Sequence, residues 1–197
     1  MHVAKKGLRV LGIAESFSSR TTSVLCGIVM RKDLRVDGVA FAGITVGGMD
    51  ATEGVMRIYR ALGRRDINCI FLGGCIIAWY NIIDPAEVHR VTGLPVVVVT
   101  YRHSEGIRDK IEALFPGDTA RLSAYDALGR PCPVTLPSGH VVHLRPFGLD
   151  LPDATRLCRD FTLDGRLPEP VRVARLAARA TMRMRHADVR EPAAAGG

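Results

Sequence analysis

The sequence predicts a mixed α/β fold, one sheet flanked by helices, and three observations carry that expectation. First, strand candidates at 8–14, 23–31 and 36–46 follow one another through short polar connections such as Arg31-Lys-Asp-Leu-Arg35. Such connections leave no room for a crossover helix, so the strands should pair antiparallel. Second, the apolar period changes after Gly47-Gly48. Met49, Val55, Met56, Ile58, Tyr59 and Leu62 recur at a spacing of about 3.6, which predicts a helix over 50–63. Third, 67–72 and 94–100 are continuous apolar runs, as expected of strands covered on both faces. The pattern is three antiparallel strands followed by β-α-β-α. A pure doubly wound sheet is excluded, because it needs a helix between the first two strands.

The helix over 50–63 has Asp50 where an N-cap belongs and Glu53 at the third helical position, the spacing of a capping box. Asp84-Pro85 opens a helix that ends near Gly93, with proline at its favoured first position. Another helix spans about 104–115 and stops before Pro116-Gly117. The stretch 119–147 is less regular, but Val134-Thr-Leu and His140-Val-Val-His-Leu-Arg145, joined by Pro-Ser-Gly, form a hairpin pattern. Helices near 151–160 and 168–185 complete one domain over 1–185, and 186–197 has the composition of a frayed tail.

A chain of 197 residues can bury a full core, and a hydrophobic content of 47% excludes disorder for most of it. No apolar run approaches the roughly 18 residues of a membrane helix, and the first residues lack a signal peptide's apolar stretch. The expected location is the cytoplasm, with no membrane partner. Cys26, Cys69, Cys75, Cys132 and Cys158 contain no Cys-x-x-Cys pair, so neither a disulfide framework nor a zinc site is expected. The formal charge of +7 favours a polyanionic partner. Arg172, Arg175 and Arg179 share one helical face, which either is solvated or tracks phosphates.

Glu15 closes the first strand, ahead of the small polar run Ser16-Phe-Ser-Ser-Arg-Thr-Thr22. A carboxylate in that position suits metal binding or general-base work. Glu53 either complements the start of its helix or faces Glu15 across the sheet. Two converging carboxylates need a cation, and oxygen donors select Mg²⁺ or Mn²⁺. Gly47-Gly48 precedes a helix and can cradle a phosphate, although it fits neither common nucleotide-loop pattern. No Gly-x-Ser-x-Gly elbow is present. His103, Ser104 and Glu105 have residue types for acid–base work, but adjacency in sequence does not make a triad.

Gly165-Arg-Leu-Pro-Glu-Pro-Val-Arg-Val-Ala-Arg175 closely resembles the Arg-Leu-Pro-Glu-Pro-x-Arg-x-Ala signature near the end of endonuclease V. Together with Thr45-Val-Gly-Gly-Met-Asp-Ala-Thr-Glu53, Asn81-Ile-Ile-Asp84 and Pro168-Glu-Pro170, it makes most of the chain similar to an archaeal family related to endonuclease V. That family includes proteins described as endonuclease dU. The resemblance implies a ribonuclease-H-like fold, in agreement with the sheet reached from the residues. It also implies a divalent ion, Mg²⁺ or Mn²⁺, held by acidic residues on the first strand, after the third and at the end of the fourth, with one more ligand late in the chain. Glu15 matches the first position and Glu53 the second. Asp150 is the nearest candidate for the last, with Asp153 in reserve, and Asp50 or Asp84 could join a rearranged site. The fourth-strand position, Asp in endonuclease V, falls on Gly73.

The loop at 44–49, with Gly47 and Gly48, matches one that in endonuclease V carries a strand-separating wedge. Arg102 lies near a phosphate-contacting position. The implied function is a metal-dependent endonuclease acting on modified or deaminated DNA, for example DNA containing deoxyuridine, with Arg102, Arg172 and Arg175 on phosphates. RNA as a substrate and a homodimer are left open. The alternative is a non-catalytic nucleic-acid-binding relative that has lost full metal ligation.

Overall fold

The computed structural model describes residues 7–17, 20–101 and 106–190, with side chains as far as 185. Strands β1 (Arg9–Ser16), β2 (Thr22–Arg31) and β3 (Val36–Thr45) are consecutive antiparallel neighbours, as their short connections require. Helix α1 (Ala51–Leu62) carries the chain to β4 (Cys69–Leu72), which runs parallel to β1. A small hairpin of β5 (Ile76–Ile77) and β6 (Asn81–Ile82) precedes α2 (Pro85–Thr92) and β7 (Val96–Thr100), parallel to β4. Helices α3 (Ile107–Leu114) and α4 (Thr119–Asp126) lead to the hairpin of β8 (Cys132–Thr135) and β9 (Val141–Phe147). Helices α5 (Leu151–Asp160) and α6 (Glu169–Arg190) follow. The seven-stranded mixed sheet has the order β3-β2-β1-β4-β7-β9-β8.

Alternation along β1 assigns the two faces of the sheet. Val10 and Ala14 enter a core that includes Phe71, Leu157 and Phe161 and the α6 residues Val171, Ala174 and Ala178. Leu11 and Ile13 point the other way, into a core with Val55 and Ile58 of α1 and Val88 of α2. Fully burying one such Leu or Ile stabilises the fold by about 1.5–3 kcal/mol. Helices on both faces therefore explain why β4 and β7 are apolar without alternation.

Helix α6 packs across β1 and β2 and meets β1 at Gly12. A Cβ there would lie 2.3 Å from the carbonyl carbon of Pro170 and 2.6 Å from its oxygen. The start of α6, where the Pro-Glu-Pro motif sits, reaches the sheet only because position 12 carries no side chain.

Some local expectations are corrected. The Asp50 side chain does not cap α1. It turns back to accept the Thr45 N–H, at 3.1 Å to each oxygen, and the Asn81 amide at 2.7 Å. Asn81 supplies the cap instead: its Oδ1 accepts the Ala51 N–H at 3.0 Å. Glu53 completes no capping box, because its carboxylate pairs with Arg60 at 2.8 Å. Asp84 does cap α2, accepting the Glu87 N–H at 3.0 Å. The helix expected over 104–115 is α3 in its described part, and 104–105 lie outside the described residues. Helix α4 was not foreseen, because the side chain it buries is an arginine, Arg121, which an apolar pattern cannot mark.

Candidate active site

Where β1 and β4 end, the sheet opens into a cleft of about 410 Å³, within the usual size range of ligand pockets. Glu15 and Gly73 line it from the strand ends, Trp79 and Tyr80 from the β5–β6 hairpin, Tyr101 from the end of β7, and Val171 and Arg175 from α6. It lies at the carboxyl ends of parallel strands, where open α/β sheets place their ligands.

Glu15 is held by Ser23, a fully buried residue on β2, whose Oγ donates to Glu15 Oε1 at 2.6 Å. The same hydroxyl lies 3.1 Å from the Ser16 carbonyl oxygen. A serine hydroxyl has one hydrogen but two lone pairs. It can donate to an ionised Glu15, or accept from a protonated Glu15 while donating to Ser16, so both protonation states find a partner. Burial pushes the Glu15 carboxyl above its ordinary value, against the opposing pull of the Ser23 hydrogen bond and the Arg175 charge. A carboxyl raised in this way is suited to proton transfer. Arg175 Nη1 donates to the Tyr101 hydroxyl at 3.1 Å, and its guanidinium lies 5.8 Å from the centre of that ring.

The hairpin at the cleft has an unusual backbone. Ala78, Trp79 and Tyr80 have φ of 39°, 61° and 62°, three successive non-glycine residues in the left-handed region. Each costs roughly 1–2 kcal/mol, so the surroundings must hold them. Arg121, 4% exposed, does so. Its guanidinium donates to the carbonyls of Tyr80, of Gly48 at 3.1 Å and of Gly47 at 2.9 Å, while Nε pairs with Asp118 at 3.0 Å. The Gly47 N–H closes the contact by donating to the Ala78 carbonyl at 2.8 Å.

Of the residues singled out from the sequence, Glu15 and Arg175 meet in this cleft, and Gly47 and Gly48 form part of its support. Arg102, His103, Ser104 and Glu105 lie outside the described residues. Arg172 is committed to the buried Glu169, at 2.6 Å, rather than free for phosphate. Asp150 is the N-cap of α5, accepting the Asp153 N–H at 2.8 Å.

The carboxylates expected to share Mg²⁺ or Mn²⁺ are not brought together. Glu53 stands on the solvent side of α1, which packs on one face of the sheet, whereas α5, with Asp150 at its start, packs on the other. Among the described residues, no group of three or more His, Cys, Asp or Glu side chains can hold a metal ion. Nor is there room for the aspartate expected at position 73: a Cβ on Gly73 would meet Val171 Cγ1 at 2.8 Å and the Ile13 carbonyl oxygen at 3.3 Å. The donor set does not fit a shared ion. Gly73→Asp is expected to lower the melting temperature by roughly 2–12 °C through overpacking. Melting curves with and without Mn²⁺ should also show no ion-dependent gain, because Glu53 and Asp150 stay engaged elsewhere.

Sequence reasoning missed Trp79, Tyr80, Tyr101 and Arg121. The available signal was the chain's only tryptophan, next to tyrosine and just after Ile76-Ile77.

The sheet order and the two helical layers define a ribonuclease-H-like protein, and the cleft lies at the strand ends of that fold. The chain belongs to the endonuclease dU family, whose sequence profile matches residues 6–182. A UPF0215 protein of Pyrobaculum calidifontis is 40% identical over 173 residues, spanning 85% of this chain and 93% of the relative. The crystal structure of a protein of unknown function from Archaeoglobus fulgidus superimposes with a TM-score of 0.78 at 29% identity, covering 89% of this chain and 98% of that one. Endonuclease V of Ciona intestinalis, solved with a 24mer DNA containing an inosine followed by a ribo-adenosine, gives a TM-score of 0.63 at 14% identity, covering 91% and 87%. At that identity the likeness is one of fold. Among the described residues, no helix is long and apolar enough to cross a membrane.

Proposed function

We propose that the chain is a cytoplasmic endonuclease that hydrolyses phosphodiester bonds in DNA carrying modified or deaminated bases such as deoxyuridine. The observation that carries this is the meeting of a half-buried carboxyl and an arginine, Glu15 and Arg175, in an aromatic-lined cleft of a basic chain. Family membership supports the reaction class, and the DNA bound to the Ciona protein supports the partner.

Hydrolysis needs a proton removed from water and one returned to the leaving oxygen. Glu15 exchanges that proton at its carboxyl, and the Ser23 hydroxyl reorients to match either state. Arg175, braced on Tyr101, faces the charge that develops on the phosphate. The resemblance implies Mg²⁺ or Mn²⁺, but among the described residues no cluster of carboxylates assembles to hold such an ion. Incubating deoxyuridine-containing and unmodified duplexes with the protein, in Mg²⁺ and in Mn²⁺, is expected to give nicks in the modified strand. If both duplexes stay intact in both ions, the endonuclease proposal fails. Arg175→Ala is expected to weaken DNA binding and to reduce the slope of log K against log salt by about 1.

A second reading, a nucleic-acid-binding protein without catalysis, is favoured by one observation: Val171 crowds the position, Gly73, where the resemblance to endonuclease V implies an aspartate. It predicts a salt-sensitive gel shift of deoxyuridine- or inosine-containing DNA with no cleavage product.

A further inference from the structure

We propose that Trp79 is a base-stacking residue, held at the cleft by the left-handed hairpin as a platform for one nucleobase of the bound strand. This rests on the reading of the cleft as a nucleic-acid site and names a contact within it. The indole is 52% exposed although it lines the cleft. A lone exposed apolar side chain is ordinary surface. Trp79 differs in how it is held. It is the middle one of three non-glycine residues with positive φ, and the buried Arg121 guanidinium ties the carbonyls on both sides of that contact, Tyr80 and Gly47-Gly48, into one unit.

Aromatic neighbours brace the same unit. Trp79 meets the Tyr80 ring edge-on at 5.9 Å, Tyr80 meets Phe115 at 6.1 Å, and Arg121 lies 4.0 Å over Phe115. Among the described residues, the ring contact of the indole is with the edge of Tyr80, and Phe17, 44% exposed, stands on the same cleft. A nucleobase is the occupant this chemistry selects. Each base offers a flat π-face to an aromatic platform, and Arg175 in the same cleft offers a cation for the phosphate that accompanies the base. The segment involved, the β5–β6 hairpin, is separate from the loop at 44–49 to which the resemblance assigns a wedge. The two touch: a Cβ on Gly47 would lie 3.6 Å from the Trp79 ring.

Trp79 is the only tryptophan of the chain, so its emission reports on this position alone. The wild-type protein is titrated with an unlabelled single-stranded oligodeoxynucleotide of about 16 nucleotides, and separately with a duplex holding one deoxyuridine. Affinity is followed in parallel by the anisotropy of labelled DNA. Quenching of Trp79 emission that saturates with the anisotropy signal is expected. Trp79→Ala should bind about tenfold or more weakly, and Trp79→Phe should recover most of the loss. Binding by anisotropy with unchanged emission, and equal affinity for Trp79→Ala, overturns the stacking role but leaves the DNA-site reading standing. Absence of binding to either DNA by the wild type overturns both.

Discussion

Gly12→Ala is expected to lower the melting temperature by roughly 6–12 °C, corresponding to a loss of about 3 kcal/mol. The added methyl group would stand 2.3 Å from the carbonyl carbon of Pro170 and 2.6 Å from its oxygen. Those are main-chain atoms at the start of a helix, and no rotamer change removes them. Helix α6 must instead back away from β1, loosening Val171, Ala174, Ala178 and Met182 from the core they share with Val10, Ala14 and Cys26. Overpacking typically costs about 1–3 kcal/mol where side chains can yield, so a contact with backbone belongs at the upper end. Thermal unfolding followed by circular dichroism measures the change. A melting point within about 2 °C of the wild type would show that α6 does not approach β1 as closely as described. The cleft should suffer as well, because Val171 and Arg175 come from the same helix.

Glu15→Gln is expected to reduce cleavage of deoxyuridine-containing DNA by about 10²–10⁴-fold, the usual contribution of a positioned acid–base group, while leaving DNA affinity nearly unchanged. Gln keeps the size of the side chain and an oxygen for the Ser23 hydroxyl, but cannot exchange a proton. Single-turnover cleavage set beside anisotropy binding separates the two effects. Cleavage that survives the substitution would remove Glu15 from the chemistry. The same variant carries a stability signature of known sign. Burial raises the Glu15 pKa in the folded chain above the unfolded value of 4.5, despite Ser23 and Arg175. The folded state therefore holds the proton more tightly than the unfolded one. That stabilisation is complete below the unfolded value and is lost as pH rises through the folded one. Gln does not ionise. The melting temperature of Glu15→Gln relative to the wild type should accordingly rise between pH 4 and pH 8, with the variant the more stable of the two at the upper end. A difference that stays flat across this range would mean that Glu15 titrates normally.

The parts of the fold legible in the sequence are those set by short range. The polar links between β1, β2 and β3 are too short for a crossover, so antiparallel pairing followed from length alone. Periodicity located α1, and Asp84-Pro85 located the start of α2, with proline at its first position as expected. At the other helix the same logic misassigned Asp50, because Asn81, far along the chain, supplies the cap and leaves Asp50 to bind Thr45. Burial tends to raise the Asp50 pKa, but the hydrogen bonds from Asn81 and Thr45 outweigh it and hold the carboxyl below its ordinary value. Glu15 was recognisable as a carboxyl at a strand end. Its partners were not, since Ser23 and Arg175 reach it only through strand pairing and the docking of α6.

From the order of residues alone came the mixed sheet, its layers of helices, the family resemblance and the cleft residues Glu15 and Arg175. These depend on spacing and motif, which are properties of neighbours along the chain. Tertiary structure decided which carboxylates meet, and it put Glu53 and Asp150 on elements packed against opposite faces of the sheet. It also drew Trp79, Arg121 and Gly47-Gly48 into one unit, because a buried guanidinium must find acceptors wherever the fold brings carbonyl groups together.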